Sequence, residues 1–493
     1  MKKEWEIGAG RITTNLLMVI VDSTSFTSRW NEFFPGIRID GFVFNKKDLY
    51  SSIWSKETID AAILFIYNNP DSFFLNISKI FEKETQELWA NLEKLKNEIE
   101  SFSSSPNQDK SKLIKLHQKY LFFFGSYSIY TPIVRFSESA IKKLFLEKGL
   151  SEEKITSLIN PSYRGAQFYL NEELNKIAED IIKSEFRQEI EKKILENNLS
   201  NEDYLVYKRL LRIKDKYGWI KSYINFYKDV EISDLLVDLF NIINNKKNQE
   251  IEDKIKDKIQ TKPSGDIIDL TNKLNFVVDM KNKIQNIQAY IFYLGNKLYS
   301  LISKEIEIPL EKLEWLTENE ISSFLNGLKF EEELIDLLIN DRKEGILIEP
   351  RTGTLIQDKK LIEKIFSHQG VDLEKVFYGE KQEIKGFFIN KKEIKGNVFL
   401  ALSHEELMKK EIPSESILVT RAITPEYTPY LKKFKAIIAD EGGIASHGSI
   451  VAREMDINMI IGTRNATKFL KDGDEILLKE DGSIEKINLL GGK

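Results

Sequence analysis

Apolar residues recur at intervals of three and four along most of the chain between residues 60 and 380, which is the spacing of one face of an α-helix. The segment KIFEKETQELWANLEKLKNEIESF, residues 79–102, keeps this spacing throughout, and FSSSPNQDKS then interrupts it as a polar loop. Glycine is unfavourable inside helices, and between Ala166 and Ser264 it occurs only at Gly218. The pattern predicts a helical domain over residues 61–380.

Capping residues predict where two of these helices begin and end. Asn171 is the first residue of NEELNKIAEDIIK, which has acidic residues in its first turn, so we expect it to be an N-cap. In TENEISSFLNG, Thr317 and Glu320 have the spacing of a capping box, and Gly327 stands where the helix should end.

Strand-like patterns occur at the two ends of the chain. Residues 1–60 show no single helix or strand pattern. Within them, RIDGFVFNKKDLY at 38–50 has the residue alternation of β-strands on both sides of a turn, which predicts a β-hairpin within the N-terminal domain. From 384 to 493, short β-rich runs are separated by glycine, asparagine and aspartate, which predicts a compact α/β domain. Gly386 and the polar residues that precede it are a candidate hinge at the start of this domain. The fold class expected is therefore multidomain α+β, with a large, mostly helical N-terminal domain.

Composition narrows the classes of function. A chain of 493 residues is too long for one core, so several domains are expected. Its net charge of −5 is spread along the chain, which argues against a nucleic-acid partner. The absence of cysteine excludes disulfides and thiolate metal sites and favours a reducing compartment. The apolar run at 16–21 is too short for a membrane span, so we expect a cytoplasmic protein without membrane contact.

One of the four histidines lies where chemistry is expected. KAIIADEGG, residues 435–443, indicates a buried strand that runs into a turn, and Gly442 and Gly443 allow backbone N–H groups to approach a ligand. SHGSIVARE then begins a helix with Ser446 as N-cap and His447 in its first turn. Unpaired N–H groups and the helix dipole favour anions there, and a neutral imidazole is a nucleophile. His447 is therefore a candidate phosphoryl carrier, although a histidine near a helix start is more often a cap or a surface residue.

The remaining candidate residues follow from the same site. Arg453 lies about one and a half turns after His447 and is a candidate bidentate phosphate contact. Arg421 and Thr424 are further candidate phosphate contacts. The other histidines, at 117, 368 and 404, lack partners at metal-ligand spacing, so no metal site is expected.

Residues 417–487, ILVTRAITPEYTPYLKKFKAIIADEGGIASHGSIVAREMDINMIIGTRNATKFLKDGDEILLKEDGSIEKI, resemble the mobile phosphohistidine domain of the phosphoenolpyruvate-utilising enzymes. That family includes phosphoenolpyruvate synthase, pyruvate phosphate dikinase and rifampin phosphotransferase. The resemblance implies that residues 384–493 form a swivelling β/β/α domain, whose His447 takes a phosphoryl group from a nucleotide site and delivers it elsewhere. The sequence departs from the family at 456–459, where DINM replaces Gly-Ile-Pro-Ala, and at Ala445, where plant dikinases carry a regulatory threonine.

The resemblance also implies that this chain acts together with a separate ATP-binding protein. No glycine-rich phosphate loop of an ATP-binding domain is found in the sequence. We therefore expect a transferase of phosphorus-containing groups that holds no cofactor itself, with ATP and Mg²⁺ on a separate ATP-binding, ATP-grasp-like partner. The order of domains, and GNKLYSLISKEIEIPLEKLEWLTENEISSFLNG at 295–327, resemble rifampin phosphotransferase, so the helical domain would bind a small-molecule acceptor. The aromatic run at 120–136 either lines that acceptor pocket or, as is more usual, forms core.

Two other interpretations stay open at this point. The helical domain is alternatively a non-catalytic binding or regulatory module that retains the mobile domain for docking. The third is a phosphocarrier similar to enzyme I of the sugar phosphotransferase system, although the Thr-Pro run before the glycine pair fits the synthase branch better.

Overall fold

The fold was analysed in a computed structural model of the chain. The structure describes the following residues: 5–11, 29–39, 41–46, 49–105, 109–151, 154–155, 158–159, 162–163, 165–196, 204–223, 230–249, 265–329, 331–349, 354–372, 384–389, 393–402, 404–423, 425–443, 447–455 and 457–487. The chain divides into two compact units, of which one comprises Met1–Lys148 with Asn160–Gly370 and the other Gly149–Ile159 with Val371–Lys493.

The first unit contains an antiparallel sheet with the strand order β1-β3-β2-β4-β5. Its strands are β1 (Trp5–Arg11), β2 (Gly41–Lys46), β3 (Leu49–Ser55), β4 (Ile346–Glu349) and β5 (Thr354–Ile356). The predicted hairpin is confirmed, because β2 and β3 pair from Gly41 opposite Trp54 to Lys46 opposite Leu49.

Strands β4 and β5 lie inside the segment predicted to be helical, so that prediction is wrong over 346–349 and 354–356. The preceding helix ends at Gly345, whose φ of 143° is one that side-chain-bearing residues rarely adopt. Ile346, Leu347 and Ile348 are then all buried, and β4 pairs with β2. Pairing with a strand about 300 residues earlier decides this local structure, which a short apolar run cannot indicate alone.

Most of the other described residues of the first unit are helical. In chain order the α-helices after residue 55 are α1 (Lys56–Asn68), α2 (Pro70–Ser103), α3 (Lys110–Ser126), α4 (Tyr130–Glu147), α5 (Ala166–Lys183), α6 (Arg187–Leu195), α7 (Tyr204–Tyr217), α8 (Ile232–Gln249), α9 (Gly265–Ile306), α10 (Leu310–Leu313), α11 (Glu318–Leu325), α12 (Glu332–Glu344) and α13 (Lys359–Gln369). Helix α2 and the break after it confirm the periodic segment and polar loop predicted there. Within the described residues, no helix is both long and apolar enough to cross a bilayer.

The predicted capping box of α11 is confirmed. The Thr317 hydroxyl accepts from the Glu320 backbone N–H, and the Glu320 carboxylate accepts from the Thr317 N–H at 2.8 Å. The same carboxylate accepts two hydrogen bonds from the buried guanidinium of Arg342, at 2.8 and 2.7 Å. The cap therefore also neutralises a buried cation that α12 contributes.

The predicted N-cap at Asn171 is wrong, because α5 begins five residues earlier, at Ala166, with Gly165 before it. Ala166, Leu170 and Leu174 are buried in one hydrophobic cluster, so the apolar stripe continues back through the position of Asn171. Burial of that stripe outweighs the preference of asparagine for a helix start.

The aromatic run at 120–136 forms core. Tyr120, Tyr127, Tyr130 and Phe136 are among the largest fully buried side chains of the described residues, whereas Phe122 is exposed. The Tyr130 ring lies 4.9 Å from that of Phe81 in an edge-to-face arrangement. The run therefore packs α4 against α2 through this ring contact, and Tyr120 of α3 contacts the ring of Tyr299 in α9.

The second unit contains a mixed eight-stranded sheet with the order β6-β13-β12-β8-β9-β10-β11-β7. Its strands are β6 (Ile384–Lys385), β7 (Phe387–Ile389), β8 (Ile394–Leu400), β9 (Ser416–Thr420), β10 (Ala436–Ala439), β11 (Met459–Ile461), β12 (Glu475–Leu478) and β13 (Ser483–Lys486). Among the described residues after β7, the α-helices of this unit are α14 (His404–Lys409), α15 (His447–Glu454) and α16 (Ala466–Phe469). Neighbours among β8, β9, β10 and β11 are parallel, and the other pairs are antiparallel. An α+β chain with a mixed C-terminal sheet agrees with the predicted class.

Both faces of this sheet are covered. Every residue of β9, β10 and β11 is buried, and alternate residues belong to two separate hydrophobic clusters. Leu418 and Ile437 point to one cluster, whereas Ile417 and Ile438 point to the other. Continuous apolar strands of this kind are typical of parallel sheets that lie between two layers.

Gly386 is not a hinge, which corrects the expectation from the sequence. It lies between β6 and β7, and its N–H donates to the Gly482 carbonyl at 3.0 Å. A Cβ atom at this position would lie 2.5 Å from the Ile461 carbonyl oxygen. Glycine is required here because two strands approach closely inside the folded unit.

Gly295 in α9 provides a direct test of helix packing in the first unit. An added Cβ atom there would overlap the hydroxyl of Tyr120, which is fully buried. We expect Gly295→Ala to lower the free energy of unfolding by about 1–3 kcal/mol in a thermal or chemical unfolding experiment. Gly265→Ala, in the same helix with nothing near the new methyl group, should leave stability unchanged or slightly higher. Equal stability of the two variants would contradict the close contact.

Candidate functional site

The candidate site lies at the edge of the sheet where the parallel strands end. The helix α15 (His447–Glu454) follows β10, so His447 is the first residue of a helix on this edge. Arg421 directly follows β9, and residues 462–465 follow β11. Because β9, β10 and β11 are adjacent and parallel, these three segments meet at one edge. Ligands of sheets with parallel strands commonly bind at this end.

A buried carboxylate joins two of these segments. Asp440, the residue after β10, is 8% exposed. Its side chain accepts hydrogen bonds from Thr463 Oγ1 at 2.6 Å, from the Ala466 N–H at 2.7 Å and from the Thr467 N–H at 3.2 Å. The Thr467 hydroxyl is a fourth donor to it. A carboxylate with this many donors is compensated for its loss of water, so Asp440 fixes the loop after β10 to the loop after β11.

The glycine turn leads from Asp440 toward His447. Gly442 has a φ of 127°, which residues with a Cβ atom rarely adopt. The Gly442 carbonyl oxygen would lie 3.2 Å from a Cβ atom placed on Gly462, so the two loops touch. The Gly443 carbonyl accepts a hydrogen bond at 2.6 Å from the hydroxyl of Ser449, in the first turn of α15. The turn is therefore attached to the helix that begins at His447.

The start of α15 packs closely against the sheet. Gly448 is buried, and a Cβ atom on it would lie 3.0 Å from Cβ of Ile423. Ser449 and Ala452 are fully buried as well. A small residue directly after His447 thus lets the first turn of the helix approach the segment that follows β9.

Charged groups also gather at this edge. The Glu441 N–H donates to the Arg421 carbonyl at 2.7 Å, and the Arg421 side chain is half-buried. Displacement of water by the surrounding protein raises the pKa of Glu441; the Arg421 charge opposes this rise, and Asp440 adds to it. A cation that acts on Glu441 therefore lies beside the glycine turn.

The structure brings together part of the predicted site. Arg421, Gly442, Gly443 and the first residue of α15 lie on one edge. Ser446 and Thr424 are outside the described residues, and for His447 and Arg453 the structure describes the helix but not the side chains. These four assignments therefore remain predictions.

Sequence reasoning gave no role to Asp440. A carboxylate directly after a buried strand was the available signal, but its donors come from residues 463–467. These are brought to it only because β10 pairs with β11.

The remaining histidines show no catalytic arrangement in the described residues. His117 is fully buried, its Nε2 lies 3.2 Å from the Tyr299 hydroxyl, and burial lowers its pKa to about 4. His368 is exposed, and the side chain of His404 is not described. Among the described residues, no group of three or more His, Asp or Glu side chains is suited to bind a metal ion.

Comparisons with known proteins agree with the resemblance seen in the sequence, which is thereby confirmed. Residues 412–482 match the family model described as PEP-utilising enzyme, mobile domain. The chain is 47% identical over 88 residues to a phosphoenolpyruvate synthase of Aeropyrum pernix, a match that covers 18% of this chain and 10% of that protein.

Two further relatives match over longer segments. A probable phosphoenolpyruvate synthase of Archaeoglobus fulgidus is 30% identical over 207 residues, 39% of this chain and 26% of that protein. The rifampicin phosphotransferase of Bacillus cereus is 23% identical over 244 residues, 48% of this chain and 27% of that protein. The chain thus spans between a tenth and about a quarter of the length of these relatives.

The role of Asp440 is testable by isosteric substitution. Asp440→Asn keeps the shape but turns an amide donor toward groups that also donate, so we expect the second unit to lose about 1–3 kcal/mol of unfolding free energy. Glu441→Gln makes the same change of charge at the adjacent residue, whose carboxylate has no hydrogen bond among the described residues, and should change stability by less than about 0.5 kcal/mol. Chemical denaturation followed by circular dichroism measures both, and equal effects would show that the buried network contributes little.

Proposed function

We propose that this chain is a phosphotransferase component that carries a phosphoryl group on His447. The observation that carries the proposal is the place of His447: it is the first residue of a helix at the carboxyl edge of parallel strands, inside the segment that matches the mobile-domain family. The positive end of a helix favours the negative charge of a phosphorylated imidazole. A solitary structural histidine would not need a glycine turn fixed to both neighbouring loops.

The transfer takes place in two displacements at phosphorus. In the first, an imidazole nitrogen of His447 forms an N–P bond while the P–O bond to the donor nucleotide breaks, and the nucleotide leaves with the bonding electron pair. In the second, an oxygen of the acceptor bonds to phosphorus while the N–P bond breaks. The electron pair of that bond returns to the imidazole, and the proton of the acceptor oxygen passes to the freed nitrogen or to water. Such reactions depend mainly on position and on compensation of oxygen charge.

The residues around His447 have supporting roles in this proposal. Gly442, Gly443 and Ser446 shape the entry to the helix, and the Gly443–Ser449 hydrogen bond holds that entry to the first turn. Arg453, Arg421 and Thr424 are candidate contacts to the phosphoryl oxygens. Of these, Arg421 is supported by its place directly after β9 and by its effect on Glu441.

Donor and acceptor are assigned to different places. We assign ATP and Mg²⁺ to a separate ATP-binding, ATP-grasp-like partner, because the matched family model covers only the mobile domain and the sequence lacks a glycine-rich phosphate loop. The helical domain binds the small-molecule acceptor, by analogy with the longer match to the rifampicin phosphotransferase. The domain of residues 384–493 swivels between the two sites. The alternative proposal is a non-catalytic helical binding or regulatory module, in which the mobile domain serves for docking and transfers no phosphoryl group.

Radiolabelled ATP separates the two proposals. The neighbouring genes are first searched for an ATP-grasp protein without a mobile domain. The chain is then incubated with that protein and with ATP labelled in the β- or γ-phosphate. We expect label on the wild-type chain that is stable to base and lost in acid, as for an N–P bond, and a fall to background in His447→Ala. His368→Ala, which removes an exposed histidine of α13, should keep full labelling. Equal labelling of wild type and His447→Ala would refute the carrier role and favour the docking module.

A further inference from the structure

Arg464 has a backbone conformation that is costly for an arginine. It follows β11 with a φ of 65°, and it is one of three non-glycine residues with a positive φ among the described residues. Glycine adopts this conformation freely, whereas a residue with a Cβ atom is strained in it. Backbone strain of this kind is often found at functional sites.

The hydrogen bonds around Arg464 keep it in this conformation. Its N–H donates to the Asp440 carbonyl at 3.1 Å, and the preceding Thr463 hydroxyl donates to the Asp440 carboxylate at 2.6 Å. Just after it, the Ala466 N–H donates to the same carboxylate. Arg464 therefore cannot leave the positive φ unless the network of Asp440 opens.

The side chain of Arg464 is available for a ligand. It is exposed, and within the described part of the chain it has no hydrogen bond, ion pair or ring contact. By contrast, several lysines of the same unit, such as Lys385, Lys410 and Lys435, form ion pairs with carboxylates. Arg464 thus combines a strained backbone with a guanidinium that has no partner among the described residues. It lies at the edge of the sheet where the candidate site is.

A short path of contacts connects Arg464 with the start of α15. The Arg464 N–H donates a hydrogen bond to the Asp440 carbonyl, and Gly462 lies close to the Gly442 carbonyl oxygen. One residue later, the Gly443 carbonyl holds Ser449, two residues after His447. The loop of Arg464 and the loop of His447 are therefore neighbours.

We propose that Arg464 binds the phosphoryl group on His447, as a contact that the sequence did not reveal. The inference rests on the proposed function of His447. The forked N–H donors of a guanidinium match two phosphoryl oxygens. The guanidinium stabilises the dianionic phosphoryl group over the monoanion, so it lowers the pKa of that group.

The test loads the histidine chemically, without a partner or ATP. Full-length protein is treated with phosphoramidate, which phosphorylates accessible histidines, and is titrated by ³¹P NMR. The resonance that His447→Ala abolishes belongs to His447, and phosphorylated His368 serves as an internal reference. In Arg464→Gly we expect the pKa of the phosphoryl group on His447 to rise by about one unit relative to wild type. The reference on His368 should not move.

Two controls exclude a merely structural effect. Lys435→Ala removes a cation at the amino end of β10, on the opposite edge of the sheet. It should leave the pKa of the phosphoryl group on His447 unchanged. Arg464→Gly relieves the positive φ and should unfold at the wild-type temperature or about 1–3 °C above it, so a shifted midpoint cannot come from damage to the fold.

The outcomes separate the two proposals. If His447 is phosphorylated and the pKa of its phosphoryl group is the same in wild type and Arg464→Gly, Arg464 does not bind that group. The carrier role of His447 then still stands. If His368 is loaded and His447 is not, both proposals are overturned. A rise that Arg464→Gly shows and Lys435→Ala lacks supports the assignment.

Discussion

The buried carboxylate of Asp440 is the interaction on which the candidate site depends. A charge taken out of water needs several donors nearby, and here they come from residues 463–467, on the neighbouring strand's loop. The loops after β10 and β11 therefore cannot move independently. The glycine turn at 442–443 extends this fixed geometry to α15, whose first residue is His447.

This internal rigidity matters because phosphoryl transfer depends on the position of the reacting atoms. In the mechanism proposed, the carrier visits two sites, so the movement belongs to the whole domain while the surroundings of the imidazole stay constant. The structure of the second unit suits that division: its sheet is covered on both faces, and Gly386 is a packed position within it. Strain at Arg464 is maintained by the same network.

Local patterns predicted what local interactions decide. The capping box of Thr317 and Glu320, the periodic helix α2 and the hairpin at 38–50 are each set by residues close in sequence, and each is present. The errors arose where distant contacts win: the apolar stripe of α5 extends before Asn171, and β4 pairs with β2. The part of Asp440 was missed for the same reason, since its donors become neighbours only when β10 and β11 pair.

The most direct measurement is to find where the protein carries phosphate in the cell. Protein purified from its own cells under alkaline conditions, which preserve N–P bonds, is digested and mapped by mass spectrometry. We expect a phosphoryl group on the peptide that contains His447, and its disappearance in cells that produce His447→Ala. Phosphate on a different histidine, or none on wild type while cellular ATP is plentiful, would contradict the central claim.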